Sequence, residues 1–371
     1  MIAKSMKLAQ FRNYAAAEVH FGPRINLIVG ENAQGKTNLL ESIFYFSAAK
    51  SFRSLRSERE LISFGEAAAA LELCVESNGR AYRLEAALKA GQAKKLTANG
   101  VKLGSRSELS DMLRCVLFSP EDLSLIREGA AARRRFMDQS LCQLRPRYYK
   151  ALREYNRLYD HKLRILRDWE EKPDLLLILD DFSTKMAHYG AVMIHYRARF
   201  TQRLQPFAAA FSKDCSMGRD KMEIAYETVS AVTDPLGDVH TIAEQLVEHA
   251  MRHREAELKA RQCLSGPHKD DLMVTLDGVD ARKFASQGQA RTSALALKLA
   301  EREIHFEEFG EYPILLLDDV LSELDENRQA FVRERIDQGQ VFISCCTDEG
   351  MRELRETKLF WVEQGQIRER A

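Results

Sequence analysis

Apolar and polar positions alternate through much of the first part of the chain. Residues 68–76, 80–88 and 93–99 alternate with a period of two, with Asn78-Gly79 and Asn99-Gly100 marking turns. A period of two sends one face to the core and the other to solvent, and Asn-Gly is a strong hairpin signal. These segments therefore predict short antiparallel strands. After Phe118-Ser119-Pro120 the period changes. Leu152, Tyr155, Tyr159, Leu163 and Leu166 recur at three- and four-residue steps. Beyond Pro173 the same spacing returns at Phe182, Met186, Tyr189, Met193, Tyr196, Phe200, Leu204, Phe207 and Phe211. Such stripes line one helix face and predict two amphipathic helices, antiparallel neighbours whose aromatics fill a core. Met222–Tyr226 predicts a short strand, 239–263 a further helix, and strand-and-loop texture returns from Gly266-Pro267-His268.

Two apolar runs carry the chemistry. Ile25-Asn26-Leu27-Ile28-Val29 predicts a buried strand and leads into Gly30-Glu31-Asn32-Ala33-Gln34-Gly35-Lys36-Thr37, a complete G-x-x-x-x-G-K-[ST] loop. A helix start follows at Asn38, so the motif has the strand–loop–helix context it needs. The glycines let backbone amides turn toward phosphate oxygens, and the helix N-terminus adds positive charge. Lys36 would reach the β- and γ-phosphates and Thr37 would hold Mg²⁺, which predicts a nucleoside triphosphate as ligand. Far downstream, Ile314-Leu315-Leu316-Leu317-Asp318-Asp319 describes a buried parallel strand ending in two carboxylates. Asp318 is placed to hold Mg²⁺ and Asp319 to orient an attacking water. The separation of these motifs demands a large insertion, which the middle helices supply. The expected architecture is α/β: a head of mixed sheet and helices with an antiparallel β region. Its halves are 1–120 and 264–371, and a mainly helical lobe, 121–263, is inserted between them.

Composition bounds the picture without redirecting it. The chain has 371 residues, 45% hydrophobic and 30% charged, which suits one large or two moderate domains with a full core. Lys+Arg and Asp+Glu are 55 each, so any contact with nucleic acid must come from a local patch. Lys50, Arg53, Arg56 and Arg59 form one basic cluster and Arg133, Arg134 and Arg135 another. For both, a solvated or salt-bridged helix face fits as well as a DNA contact. The seven cysteines form no CxxC pair and no metal-ligand spacing, as expected of thiols in a reducing compartment. The N-terminus lacks the apolar core of a signal peptide, and no apolar stretch approaches the roughly 18 residues of a membrane span. The expected location is cytoplasmic.

Phe284-Ala285-Ser286-Gln287-Gly288-Gln289-Ala290-Arg291 is a small polar turn before a helix. Ahead of an apolar strand ending in Asp-Asp, it resembles the signature motif of ABC-type ATPases. Leu321-Ser322-Glu323-Leu324-Asp325 resembles their D-loop. Together GENAQGKTNLLE, FSPEDL (118–123), RRRFMD (133–138), GPHKDDL (266–272), SQGQ and LLLDDVLSELD resemble the RecF family of bacterial recombination-repair proteins. The resemblance runs along nearly the whole chain and is loosest from 150 to 250.

It implies an ABC-type ATPase related to the heads of SMC proteins. Such a protein binds ATP and Mg²⁺, forms an ATP-dependent homodimer and acts on single-stranded, gapped or junction DNA with RecO and RecR. Carried over, Gly30 through Thr37 cradle phosphates, with Lys36 and Asp319 catalytic and Thr37 and Asp318 on Mg²⁺. Ser286, Gly288 and Gln289 would face the γ-phosphate bound to the partner copy, and Asp325 the dimer seam. Arg12-Asn13 would line adenine and ribose, or form a solvated turn. This chain departs from the ABC pattern in three places. Asp319 stands where a glutamate is usual, one methylene too short, which predicts slow, switch-like hydrolysis. Ser344-Cys345-Cys346-Thr347-Asp348 has no sensor histidine, leaving Thr347 as its stand-in. Ser119-Pro120-Glu121-Asp122 replaces the usual Q-loop glutamine. No groove-reading motif occurs, so sequence-specific recognition is not expected. A transporter's ATPase cassette and an SMC-like ATPase attached to a nuclease are the alternative readings.

Overall fold

The structure is a computed structural model that describes residues 1–53, 55–229, 231–321, 324–347 and 356–370. The chain begins with β1 (Ile2–Phe11), β2 (Tyr14–His20), β3 (Ile25–Val29), α1 (Lys36–Ala48), β4 (Ala68–Ser77), β5 (Arg80–Lys89), β6 (Lys95–Ala98), β7 (Val101–Lys102) and β8 (Cys115–Phe118). Next come α2 (Ser124–Arg127), α3 (Ala130–Leu144), α4 (Pro146–Asp168), α5 (Leu176–Cys215), β9 (Met222–Glu227), α6 (Val239–Arg252), α7 (Arg254–Ala260), β10 (Asp271–Leu276), β11 (Val279–Asp280) and α8 (Ala281–Phe284). The last stretch holds α9 (Gln287–Phe309), β12 (Ile314–Asp318), α10 (Glu326–Arg335), β13 (Val341–Cys345), β14 (Thr357–Glu363) and β15 (Gln366–Arg370).

Two compact units result. The first combines 1–122, 214–218 and 294–371; the second combines 123–213 and 219–293. In the first unit, β2-β1-β4-β5-β6-β7 form an antiparallel sheet, with the two predicted hairpins in place. Asn78-Gly79 and Asn99-Gly100 all take positive φ, the geometry a right-twisted two-residue hairpin requires. The second sheet runs β15-β14-β3-β13-β12-β8, parallel except for the edge strand β15. Its central strands β3, β12 and β13 are buried at every position, as runs covered on both faces must be. Helix α1 is buried almost all round, and its apolar residues share one core with both sheets. It starts at Lys36, two residues before the expected position.

In the second unit the two predicted stripes are α4 and α5. Tyr148 packs on Tyr196 with ring centroids 6.1 Å apart, and His161 on Phe182 at 5.8 Å, so the helices run antiparallel. The helix expected over 239–263 is two, α6 and α7, broken at His253. A larger correction concerns 264–293, expected in the C-terminal half of the head. Strand β10 pairs with β9 from Asp271↔Glu227 to Leu276↔Met222, which places this stretch in the inserted unit. Buried charge fixes it there. Arg197 binds Asp138 at 2.8 Å, Asp270 at 3.0 Å and the Pro267 carbonyl at 2.8 Å. Removing any one partner would strand a charge out of water, so the segments around Asp138 and Asp270 hold each other in register.

Candidate nucleotide site

The phosphate loop leaves the C-terminal end of β3 and winds into α1. Gly30 passes so close to β14 that a Cβ there would lie 2.3 Å from the Val362 carbonyl oxygen. Gly35 caps α1 with φ +122°, and a side chain would meet Asn13 and Tyr14. The Asn13 amide donates to the Gln34 carbonyl at 2.8 Å and the Tyr14 hydroxyl to the Gly35 carbonyl at 2.9 Å. Gln34 accepts from the Gln364 amide at 2.7 Å, so the β14–β15 turn braces the loop from the other side. Glu31, Asn32 and Ala33 are exposed at the tip, and Ala33 takes φ +65°. No acid sits in the first turn of α1, leaving its amides open to an anion.

Lys36 is buried, and its ammonium donates to the Gly30 carbonyl at 2.7 Å and the Glu31 carbonyl at 3.2 Å. It lies 3.8 Å from Asp319 Oδ1. The Thr37 hydroxyl donates to Asp318 Oδ1 at 2.8 Å, joining groups 281 residues apart. Burial pushes the Asp318 carboxyl above its ordinary value, opposed by hydrogen bonds from Ser344 and Thr37 and reinforced by Asp319. A hydroxyl and a carboxylate side by side form an oxygen-only donor pair, the chemistry Mg²⁺ takes from proteins at nucleotide sites. Asp319 turns away from the strand with φ +51°.

Two residues of this site escaped the sequence reading. Ser344 Oγ donates to Asp318 Oδ1 at 2.7 Å and accepts from the Asp319 amide at 2.9 Å, so it sets both acids at once. The signal was a small polar residue in an apolar strand, but β13 had not been placed beside β12. Cys346 lies with its Sγ 3.6 Å from Lys36 Nζ and donates to Asn32 Oδ1 at 3.2 Å. Cys346, one residue before the expected stand-in Thr347, meets the phosphate loop, and both residues are exposed.

Beside the loop a cleft of about 740 Å³ is lined by Arg12, Asn13, Asn38, Arg53 and Phe64 among others. Arg12 forks onto the buried Glu41 at 2.7 and 2.9 Å, and Asn38 donates to Asn13 at 2.8 Å. Arg12-Asn13 forms a turn that walls the cleft, Arg12 half-buried and Asn13 exposed, both braced by these hydrogen bonds.

Arginines of both basic clusters make intramolecular pairs, the salt-bridged alternative. Arg53 is half-buried, donating to Asn38 Oδ1 at 2.8 Å, and its charge opposes the burial that raises the Asp318 carboxyl pKa. Arg133 is buried and forks onto Asp271 at 2.6 and 2.7 Å, which removes it from any surface. Arg134 donates to the Asp270 carbonyl at 2.6 Å and is half-buried. A run of arginines looks like a surface, and its partner lay too far along the chain to be seen. Lys50 and Arg56 are exposed.

In the second unit Ser286 and Gln289 form a reciprocal box at the start of α9. The Ser286 amide donates to Gln289 Oε1 at 2.9 Å, and the Gln289 amide to Ser286 Oγ at 3.2 Å. Gln289 also donates to Asp220 at 2.9 Å, and Gly288 accepts from Thr292 at 3.0 Å. Ser286 stays exposed at the tip. Asp325 caps α10 through the Arg328 amide at 3.0 Å; Ser322, Glu323 and Asp348 lie outside the described residues. Among the described residues no helix is long and apolar enough to cross a membrane.

A phosphate loop on β3 and paired carboxylates on β12, with β13 between them, define an ABC-type P-loop ATPase head. The family described as the RecF/RecN/SMC N-terminal domain matches residues 2–368. The DNA replication and repair protein RecF of Agathobacter rectalis is 38% identical over 369 residues, covering 99% of each chain. RecF of Shouchella clausii is 36% identical over 372 residues, again 99% of each. Among solved structures, the recombination mediator protein RecF-ATPrS in the RecFOR pathway superposes with TM-score 0.91 and 33% identity, over 100% of this chain and 98% of that one. The Smc head of Pyrococcus furiosus, at TM-score 0.58 and 15% identity, shares the fold. The chain belongs to the RecF family of the RecF/RecN/SMC group.

Proposed function

We propose that this chain is an ATP-gated DNA clamp of recombinational repair, a weak ATPase whose hydrolysis resets a switch. The observation that carries the reading is the meeting of Lys36, Thr37, Asp318 and Ser344 at the ends of β3, β12 and β13, with an exposed Ser286 turn in the separate unit. Thr37 and Asp318 would hold Mg²⁺, which neutralises charge on the β- and γ-phosphates when bound. Lys36 exchanges its carbonyl partners for phosphate oxygens, and the loop amides from Gly30 to Gly35 cradle them. The cleft walled by Arg12 and Asn13 takes the nucleoside. Asp319 orients the attacking water from a side chain one methylene short of glutamate, so turnover is slow.

Ser286, Gly288 and Gln289 of a second copy would close on the γ-phosphate, making ATP part of the interface, so that binding drives association by linkage. Loss of that phosphate loosens the pair and releases DNA. The relative's placement in the RecFOR pathway suggests RecO and RecR as partners and recombinase loading at gapped DNA as the task.

Sedimentation velocity on Asp319→Asn, without nucleotide and with ADP or ATP, tests this directly. A dimer with ATP alone, strengthened by DNA and abolished by Ser286→Arg, is the expected outcome. A chain that binds ATP and stays monomeric would sink the clamp.

A further inference from the structure

The balanced net charge hides a strong local imbalance. From Phe182 to Lys213 the chain has no acidic residue, while Lys185, Arg197, Arg199, Arg203 and Lys213 are basic. From Gln139 to Arg153 acid is again absent, with Arg145, Arg147, Lys150 and Arg153 present. The fold brings these stretches together. The end of α3, the turn at Arg145 into α4 and the middle of α5 enclose a pocket of about 300 Å³ within the second unit.

Arg145, Arg199 and Arg203 line it together with Tyr196 and Phe200, and no lining residue is acidic. Positions 196, 199, 200 and 203 fall on one face of α5 by their three- and four-residue spacing. Arg197, between them, is turned onto Asp138 and Asp270 and takes no part. Arg199 is exposed. The Tyr196 ring is half-buried and packs edge-on against Tyr148 at 6.1 Å, so it offers a fixed aromatic surface.

Guanidinium forks match phosphate oxygens. An aromatic surface beside them takes a base of any identity, the combination by which single strands are held without sequence preference. The volume is at the small end for a ligand pocket, sized for a nucleotide and too narrow for a double helix. We propose that this pocket receives one unpaired nucleotide of single-stranded DNA, its base against Tyr196 and its flanking phosphates on Arg145, Arg199 and Arg203. The proposal rests on the chain being a DNA-binding protein and assigns where the single strand touches it.

The test is fluorescence anisotropy of labelled oligo-dT and of a blunt duplex with the full chain and ATP, over a range of salt. Arg199→Glu with Arg203→Glu should weaken oligo-dT binding at least about 10-fold and flatten the log–log salt slope by about 1.4, two phosphate contacts at about 0.7 each. Tyr196→Ala should weaken oligo-dT by about 10-fold with the salt slope unchanged. Arg199→Ala alone, at an exposed position, guards against misfolding and should remove about 0.7 of the slope. ATP binding and the melting temperature should match the parent chain in each case. Unchanged oligo-dT affinity and slope in the double variant overturn the pocket, and loss confined to the duplex overturns the single-strand assignment. A parent chain that binds neither DNA overturns the DNA reading itself, and this proposal with it.

Discussion

Atomic spacing decides the behaviour of individual residues here. A methyl group at Gly30 cannot coexist with the Val362 carbonyl 2.3 Å away, so Gly30→Ala must push β3 from β14. Overpacking of this kind costs about 1–3 kcal/mol. Thermal melting should report that loss, and a fluorescent ATP analogue should show binding abolished. Ser344→Ala removes a hydrogen bond from a buried carboxylate, a loss of about 1.5–3 kcal/mol. Affinity for Mg²⁺·ATP and the ATPase rate should fall by about 10-fold or more, with the fold retained by circular dichroism. His268 makes a pH prediction. Its Nε2 donates to the Cys263 carbonyl and its Nδ1 accepts from Tyr155, an arrangement of the neutral ring. Burial holds its pKa down to about 4, against 6.5 for the free side chain. The unfolded chain therefore takes up this proton first, and stability falls as pH drops from about 6.5 to about 4. The total is about 3 kcal/mol. Urea midpoints measured across that range should show a slope that His268→Gln reduces.

Elements were legible wherever their cause was local. The Asn-Gly turns, the stripes on α4 and α5 and the apolar runs of β3 and β12 announce themselves through period and turn chemistry alone. What stayed hidden depends on partners remote in sequence. Strand β10 was assigned to the wrong unit because β9 fixes it across a hairpin-free connection. Arg133 reads as surface until Asp271, 138 residues on, arrives beside it. The motifs announced that the phosphate loop and Asp318 lie together, as Thr37 and Asp318 do; Ser344 was not legible, because only sheet order brings it to Asp318. Between α4 and α7, Lys162 and Glu257 form a 2.6 Å ion pair with both side chains about 2% exposed. Glu257→Gln leaves the Lys162 charge out of water and should cost about 3–5 kcal/mol by urea denaturation. Lys162→Met with Glu257→Leu should recover most of that loss, which a measurement on the pair would check.

Across the whole molecule, the nucleotide site is assembled from opposite ends of the chain. Strand β3 carries the phosphate loop, yet both of its sheet neighbours, β13 and β14, come from the last part of the sequence. Thr37 waits for Asp318, Gly30 for strand β14 and Gln34 for the β14–β15 turn. Loop closure over such separations is slow and must follow the local pieces. During synthesis the complete phosphate-binding motif therefore leaves the ribosome early and stays inert. Arrested nascent chains ending at Thr347 should pass through ATP–agarose, and chains released after Arg370 should be retained. A copy that stops short of β14 would therefore carry the whole phosphate-binding motif without the strand and turn that brace it.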